Sequence, residues 1–165
     1  MSTPNASGLP DTTLAPNYFV HIFDNGLQMV GQRMPSLASV TFGIQVPAGL
    51  KDEPEDRLGL THLLSDMLFQ GTEHRNVRQL TEDFESIGAR KGGEVSNEFA
   101  RYSAQIVNTK LPRAFELMAD VLRYPAFPVD EFHQMRNVQL QEIRRRDDEP
   151  DPAAAAWRPD RPRRG

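Results

Sequence analysis

One stretch of the sequence, residues 59–72, reads GLTHLLSDMLFQGT and predicts a buried amphipathic helix. Its apolar side chains recur three and four positions apart and form one stripe: Leu60, Leu63, Leu64, Met67 and Leu68. His62, Ser65 and Asp66 fall together on a different face of the same helix. An imidazole and a carboxylate one turn apart can both reach a single metal ion, but a hydrogen-bonded polar face is the commoner explanation of such a trio. These residues alone leave both explanations open.

The composition is typical of a globular chain of at most one domain. The sequence has 165 residues, of which 38% are hydrophobic and 25% are charged. The net charge of −4, with both signs interspersed, argues against a nucleic-acid-binding surface. Cysteine is absent, which excludes disulfides and thiolate metal sites. No apolar run reaches the roughly 18 residues of a membrane-spanning helix, so no membrane partner is predicted.

Five strands are predicted from aromatic, β-branched and alternating residues. They span residues 18–24, 27–33, 39–46, 89–95 and 99–107. Asn25-Gly26 predicts a hairpin with a type I′ turn, in which both central residues have positive φ. A second hairpin is predicted around Ser96-Asn97.

Four helices are predicted, and their order relative to the strands indicates the fold class. They cover residues 59–72, 77–87 and 111–123, and the stretch from Pro128 to about Arg146. Gly88 ends the second helix, and Pro125 with Pro128 breaks the chain after the third. The order of strands, two helices, two strands and two helices predicts an α+β fold, with helices packed on one face of a mostly antiparallel sheet.

The two ends of the chain differ from its middle. Residues 1–16 are polar and lack the basic start and apolar core of a signal peptide, so we expect a disordered leader and a cytoplasmic protein. Residues 17–157 are expected to form the domain, and residues 158–165 (RPDRPRRG) a disordered basic tail. The abrupt change at Arg158 is what a shifted reading frame would leave, so a truncated chain and a genuine short form both stay open.

Several segments, in the same order, resemble the N-terminal domain of insulinase/pitrilysin-like zinc metallopeptidases, a family that includes the mitochondrial processing peptidases and their short bacterial relatives. The segments are FDNGL at 23–27, the helix at 59–72, residues 80–88, Tyr102, LQEI at 140–143 and DDEP at 147–150. The resemblance covers about Tyr18 to Ala156. It implies a domain of the kind that forms one part of a clamshell-shaped peptidase, and it implies that this domain is incomplete here, because the family's domains are larger.

Active members of this family carry an inverted zinc motif, His-x-x-Glu-His, whose positions the resemblance transfers to this chain. In that motif the two His bind zinc and the Glu is the general base. His62 matches the first ligand, Ser65 stands at the position of the base, and Asp66 stands at the second His. Glu142 matches the distant Glu ligand and follows Asp66 by 76 positions, the separation that the family uses. Met135 replaces another Glu usual in the family.

The replaced residues predict a site without catalytic residues and with no zinc, or with weakly bound zinc. A serine hydroxyl cannot hold a proton taken from water near neutral pH, and general-base catalysis contributes on the order of 10² to 10⁴ in rate. A set of His62, Asp66 and Glu142 would hold a divalent ion more weakly than the family's ligands do. We therefore expect a non-catalytic subunit that partners an active peptidase subunit of the same family, or a second copy, and binds extended peptide by strand addition.

An active zinc metalloendopeptidase with an atypical ligand set is the alternative. It requires Asp66 to bind the metal and another carboxylate to replace the missing base, with Glu94 and Glu98 as the candidates. The other histidines are expected to have structural or surface roles: His21, His74 and His133.

Overall fold

A computed structural model describes residues 17–148, apart from the side chains at positions 142, 143 and 146–148. The predicted leader (1–16), the end of the predicted domain and the predicted basic tail (158–165) lie outside the described residues. The described residues belong to two compact units that divide between Ala38 and Ser39. Within them, no helix is both long enough and apolar enough to cross a membrane.

The first unit is an antiparallel hairpin of β1 (Tyr18–Ile22) and β2 (Gln28–Gln32), with Val20 opposite Val30. The hairpin is confirmed, but the predicted type I′ turn is wrong, because Gly26 (φ 84°) has positive φ and Asn25 does not. The N–H of Gly26 donates to the carbonyl of Phe23, which closes a three-residue loop ending in a left-handed glycine. Asn25 acts through its side chain instead, accepting the N–H of Leu27 at 3.1 Å.

The second unit contains a three-stranded antiparallel sheet. Its strands are β3 (Ser39–Val46), β4 (Arg90–Val95) and β5 (Ala100–Val107), in the order β3-β5-β4. In β5 the side chains of Ala100, Tyr102, Ala104 and Ile106 are buried, whereas Arg101, Gln105 and Val107 are exposed. This alternation agrees with the strand predicted at 99–107 and gives the sheet one apolar face.

Four α-helices complete the second unit. They are α1 (Leu60–Met67), α2 (Val77–Ser86), α3 (Leu111–Arg123) and α4 (Val129–Asp148). A capping box formed by Asn76 and Gln79 starts α2, and Gly88 follows its end with φ of 65°. The last three helices agree with prediction to within two residues.

The first helix ends earlier than predicted, at Met67 rather than at Gly71-Thr72. Gly71 has φ of 127°, which a helix does not allow, and it forms a β-bridge with Asn76. Thr72 forms a second bridge with Pro125. Backbone pairing of this loop therefore replaces the last predicted turn of α1.

The core lies between the apolar face of the sheet and helices α2 and α3. One cluster joins the two helices and a second joins the sheet to α3. The first contains Leu80, Phe84, Leu117 and Val121, and the second contains Ala100, Tyr102, Ala104 and Met118. Phe69, in the turn after α1, packs against both clusters. This arrangement confirms the α+β class with helices packed on the apolar face of an antiparallel sheet.

Replacing Leu117 by Ala tests this core. Leu117 has no exposed surface, so we expect Leu117→Ala to lower the free energy of unfolding by about 2–5 kcal/mol through lost burial and a residual cavity. Leu58, which is 78% exposed, provides the control, and Leu58→Ala should change stability by less than about 0.5 kcal/mol. Urea unfolding measures both. Equal effects in the two variants would contradict this description of the core.

Candidate functional site

The first turn of α1 is fixed by a carboxylate from outside the helix. Gly59 precedes the helix with φ of 91° and has no side chain to cap it. The carboxylate of Glu53 accepts the backbone N–H groups of Gly59 at 2.8 Å and Thr61 at 2.7 Å. These bonds hold the pKa of Glu53 below its usual value, and the negative charge complements the positive end of the helix dipole. The cap positions His62, which lies in this first turn.

His62, Ser65 and Asp66 all lie in α1, at positions three and four apart as predicted, but their side chains differ in burial. His62 and Asp66 are exposed, whereas Ser65 is only 5% exposed. A Cβ placed on Gly93 of β4 would lie 2.8 Å from the Ser65 hydroxyl oxygen, so Ser65 faces the sheet at very short range.

The predicted apolar stripe of α1 is also only partly buried. Met67 is 1% exposed, whereas Leu64 is 44% exposed. Both β4 and α4 contact this short helix, but their contacts leave Leu64 exposed. Hydrophobic periodicity predicts the helix correctly but does not specify which apolar positions receive a partner.

Asp66 is hydrogen-bonded to the long helix α4. The Gln139 side-chain amide donates to its carboxylate at 3.0 Å, and the Gln70 amide lies 3.9 Å from the sulfur of Met135. Met135 and Gln139 are one turn apart and mark the face of α4 that contacts α1. Glu142 follows three positions later in the same helix, but its side chain is not among those described. Its approach to His62 therefore stays a prediction.

Two of the three predicted metal ligands, His62 and Asp66, have described side chains. His62 and Asp66 are one turn apart and exposed, as a pair of ligands requires. Among the described residues, no group of three or more His, Cys, Asp or Glu is placed to hold a metal ion. The set of His62, Asp66 and Glu142 thus remains a prediction. With the carboxylate of Asp66 in place of an imidazole, its chemistry favours weaker zinc binding than the family's ligand set.

The two candidate substitutes for the missing base lie on β4 and in the turn that follows it. Gly93 faces Ser65, and successive strand residues point to opposite faces, so Glu94 points away from Ser65. Glu98 is exposed in the turn between β4 and β5. Sequence reasoning could not separate these carboxylates because it did not specify which strand position faces α1.

The remaining histidines have packing roles. The ring of His21 packs edge-on against Phe23 within the first hairpin, with centroids 4.5 Å apart. His133 lies at the start of α4, with its ring 5.7 Å from that of Phe132. His74 is hydrogen-bonded to Asp120, a buried carboxylate that the sequence did not indicate as important.

Asp120 on α3 joins the loop after α1 to the helical layer. It is 8% exposed and accepts the hydroxyl of Thr72 at 2.7 Å. It also pairs with His74 Nδ1 at 2.6 Å and with Arg75, whose Nε donates to Asp83 of α2 at 2.7 Å. Burial by itself would raise the pKa of Asp120, but the hydrogen bonds from Thr72, His74 and Arg75 outweigh it and hold the pKa below its usual value.

Comparison with known proteins identifies the family. The family described as Insulinase (Peptidase family M16) matches residues 28–160, so the chain belongs to this peptidase family. The chain is 29% identical over 127 residues to the uncharacterized zinc protease YmxG of Bacillus subtilis, covering 77% of this chain and 31% of that protein. It is 31% identical over 129 residues to a probable mitochondrial-processing peptidase subunit beta of Arabidopsis thaliana, covering 78% and 24%. It therefore spans a third or less of the length of these relatives.

Solved structures show the same fold. A peptidase M16 inactive domain from Pseudomonas fluorescens superimposes with a TM-score of 0.74 at 22% identity, over 81% of this chain and 33% of that one. A protease from Helicobacter pylori gives a TM-score of 0.72 at 22% identity, over 79% and 32%. The resemblance inferred from the sequence is thus confirmed at the level of family and fold.

The Asp120 cluster predicts a specific dependence of stability on pH. The folded-state pKa of Asp120 lies below its unfolded value of about 4. The ionised carboxylate therefore stabilises the folded state above that value, and this stabilisation is lost as pH falls through the folded pKa. We expect Asp120→Asn to cost about 1–3 kcal/mol at pH 7 and progressively less below about pH 4. Chemical unfolding across this pH range measures the difference.

The exposed carboxylate of Glu55 provides the control. Glu55→Gln should leave both the stability at pH 7 and its acid dependence close to those of the native chain. A cost of Asp120→Asn that stays the same at pH 7 and below pH 4 would show that the charge of Asp120 does not stabilise the fold.

Proposed function

We propose that this chain is a non-catalytic member of the insulinase family that contributes a peptide-binding surface to a larger peptidase assembly. The observation that carries the proposal is Ser65, which stands at the position of the general base and lies buried against Gly93. A hydroxyl in that position cannot accept a proton from water near neutral pH. The neighbouring Asp66 carboxylate accepts a hydrogen bond from Gln139.

The edge of β4 is the proposed peptide-binding element. Within the described residues β4 pairs with β5 on one side, and its other edge has no strand partner. An extended peptide can hydrogen-bond to such an edge by strand addition. Because α1 lies beside β4 at Ser65 and Gly93, a peptide added here would run close to the helix that carries the catalytic motif in active relatives.

The proposal includes a partner from the same family. The Arabidopsis relative is named as a subunit, and this chain spans 24% of its length. An active peptidase subunit, or a second copy of this chain, would supply the remaining walls of a peptide chamber. A cytoplasmic location is part of the same proposal.

Substitution of one ligand position tests whether the zinc site is degenerate. We expect weak zinc binding by the native chain and tighter binding by Asp66→His, because imidazole is a better zinc ligand and position 66 is exposed next to His62. Adding His62→Ala should cancel the gain. Isothermal titration with zinc measures all three proteins, and Asp66→Asn serves as the matched control without a new ligand.

The same proteins distinguish the proposal from an active peptidase. Neither the native chain nor Asp66→His should cleave an unstructured peptide with zinc present, because both retain Ser65. Tight stoichiometric zinc in the native chain, lost together with peptide cleavage in His62→Ala, would overturn the proposal and establish the atypical active enzyme.

A further inference from the structure

Lys91 of β4 places its amine at the edge of the apolar core. It lies opposite Ala104 of β5, and side chains directly opposite each other in antiparallel strands share one face of the sheet. Ala104 is buried on the face that the helices cover. The side chain of Lys91 is accordingly half-buried, and it carries a charge onto the apolar face of the sheet.

Two aromatic rings adjoin this amine. The Nζ atom lies 4.4 Å from the centroid of the Phe69 ring and 5.5 Å from that of the Phe84 ring. Among the residues that the structure describes, no carboxylate forms an ion pair with Nζ. Ring faces attract a cation, but they replace none of the hydrogen bonds that an ammonium group receives in water.

These surroundings favour the neutral form of the amine. The loss of hydration on burial lowers the pKa of Lys91 below its usual value, and the attraction of Glu85 on α2 opposes this change only in part. Only the neutral amine has a lone pair to donate, so a desolvated lysine is a better nucleophile near neutral pH than a solvated one.

We propose that Lys91 is a site of covalent acylation, with acyl phosphates as the class of reagent. The neutral Nζ attacks the carbonyl carbon, a C–N bond forms, and the C–O bond to the phosphate breaks. Inorganic phosphate leaves, and the nitrogen gives up one proton to solvent. The product is a neutral amide, so acylation removes the positive charge beside the rings of Phe69 and Phe84, close to the turn that follows α1.

The chain contains its own references for a test, because it has only three lysines and the other two, Lys51 and Lys110, are exposed. The full chain is treated with acetyl phosphate and unfolded, and the remaining amines are labelled with isotopically heavy acetic anhydride. Mass spectrometry of the peptides then gives the fraction acetylated at each lysine. At a pH of about 7.5 we expect Lys91 to react at least about threefold faster than either reference.

The difference in rate should depend on the fold. In concentrated urea the three lysines should react at rates within about twofold of one another, because the rings no longer adjoin Nζ. In the folded chain the advantage of Lys91 should shrink above the usual lysine pKa of about 10.4, where lysine amines in general are neutral.

Glu85→Gln gives a second, independent measurement at an exposed position of α2. It removes the charge that favours the ammonium form, so Lys91 should react about twofold faster while the two reference lysines keep their rates. Glu82→Gln, exposed on the same helix, is the matched control and should change none of the three rates. A rate at Lys91 no higher than those of the exposed lysines in the folded chain would overturn the proposal, as would an advantage that persists in urea.

Discussion

The packing of α3 between α2 and the sheet is the constraint on which the rest of the second unit depends. Leu117 and Val121 face α2, Met118 faces β5, and Asp120 holds the loop that follows α1. Each fully buried apolar side chain of this kind contributes about 1.5–3 kcal/mol relative to exposure. One helix therefore supplies both the apolar layer and the polar contact that positions the end of α1.

The helix that carries the predicted motif positions is held by contacts that need no metal. Glu53 caps its first turn, Ser65 lies against Gly93, and Asp66 is hydrogen-bonded to Gln139. Two of the motif positions thus make contacts within the protein. A fold can retain a helix for packing after its chemistry has been lost, since function resides in particular side chains and not in the fold that carries them.

Most of the secondary structure could be predicted from sequence, because it depends on neighbouring residues. The helical spacing in α3 predicts its bounds to the residue, and the strict alternation in β5 predicts that strand to within one residue. The errors arose where backbone conformation mattered more than hydrophobicity. Asn25 bonds through its side chain instead of taking positive φ, and the φ of Gly71 ends α1 before the predicted stop.

The sequence by itself determined the family and the α+β class, and it predicted Ser65 at the position of the base, because these depend on residue identity and local spacing. Only the tertiary structure decided that Ser65 is buried while His62 and Asp66 are exposed. It also brought together Asp66 with Gln139 and Thr72 with Asp120, which are 73 and 48 positions apart in the chain. The physical reason is that periodicity describes one element at a time, whereas burial and long-range hydrogen bonds depend on how elements pack against one another.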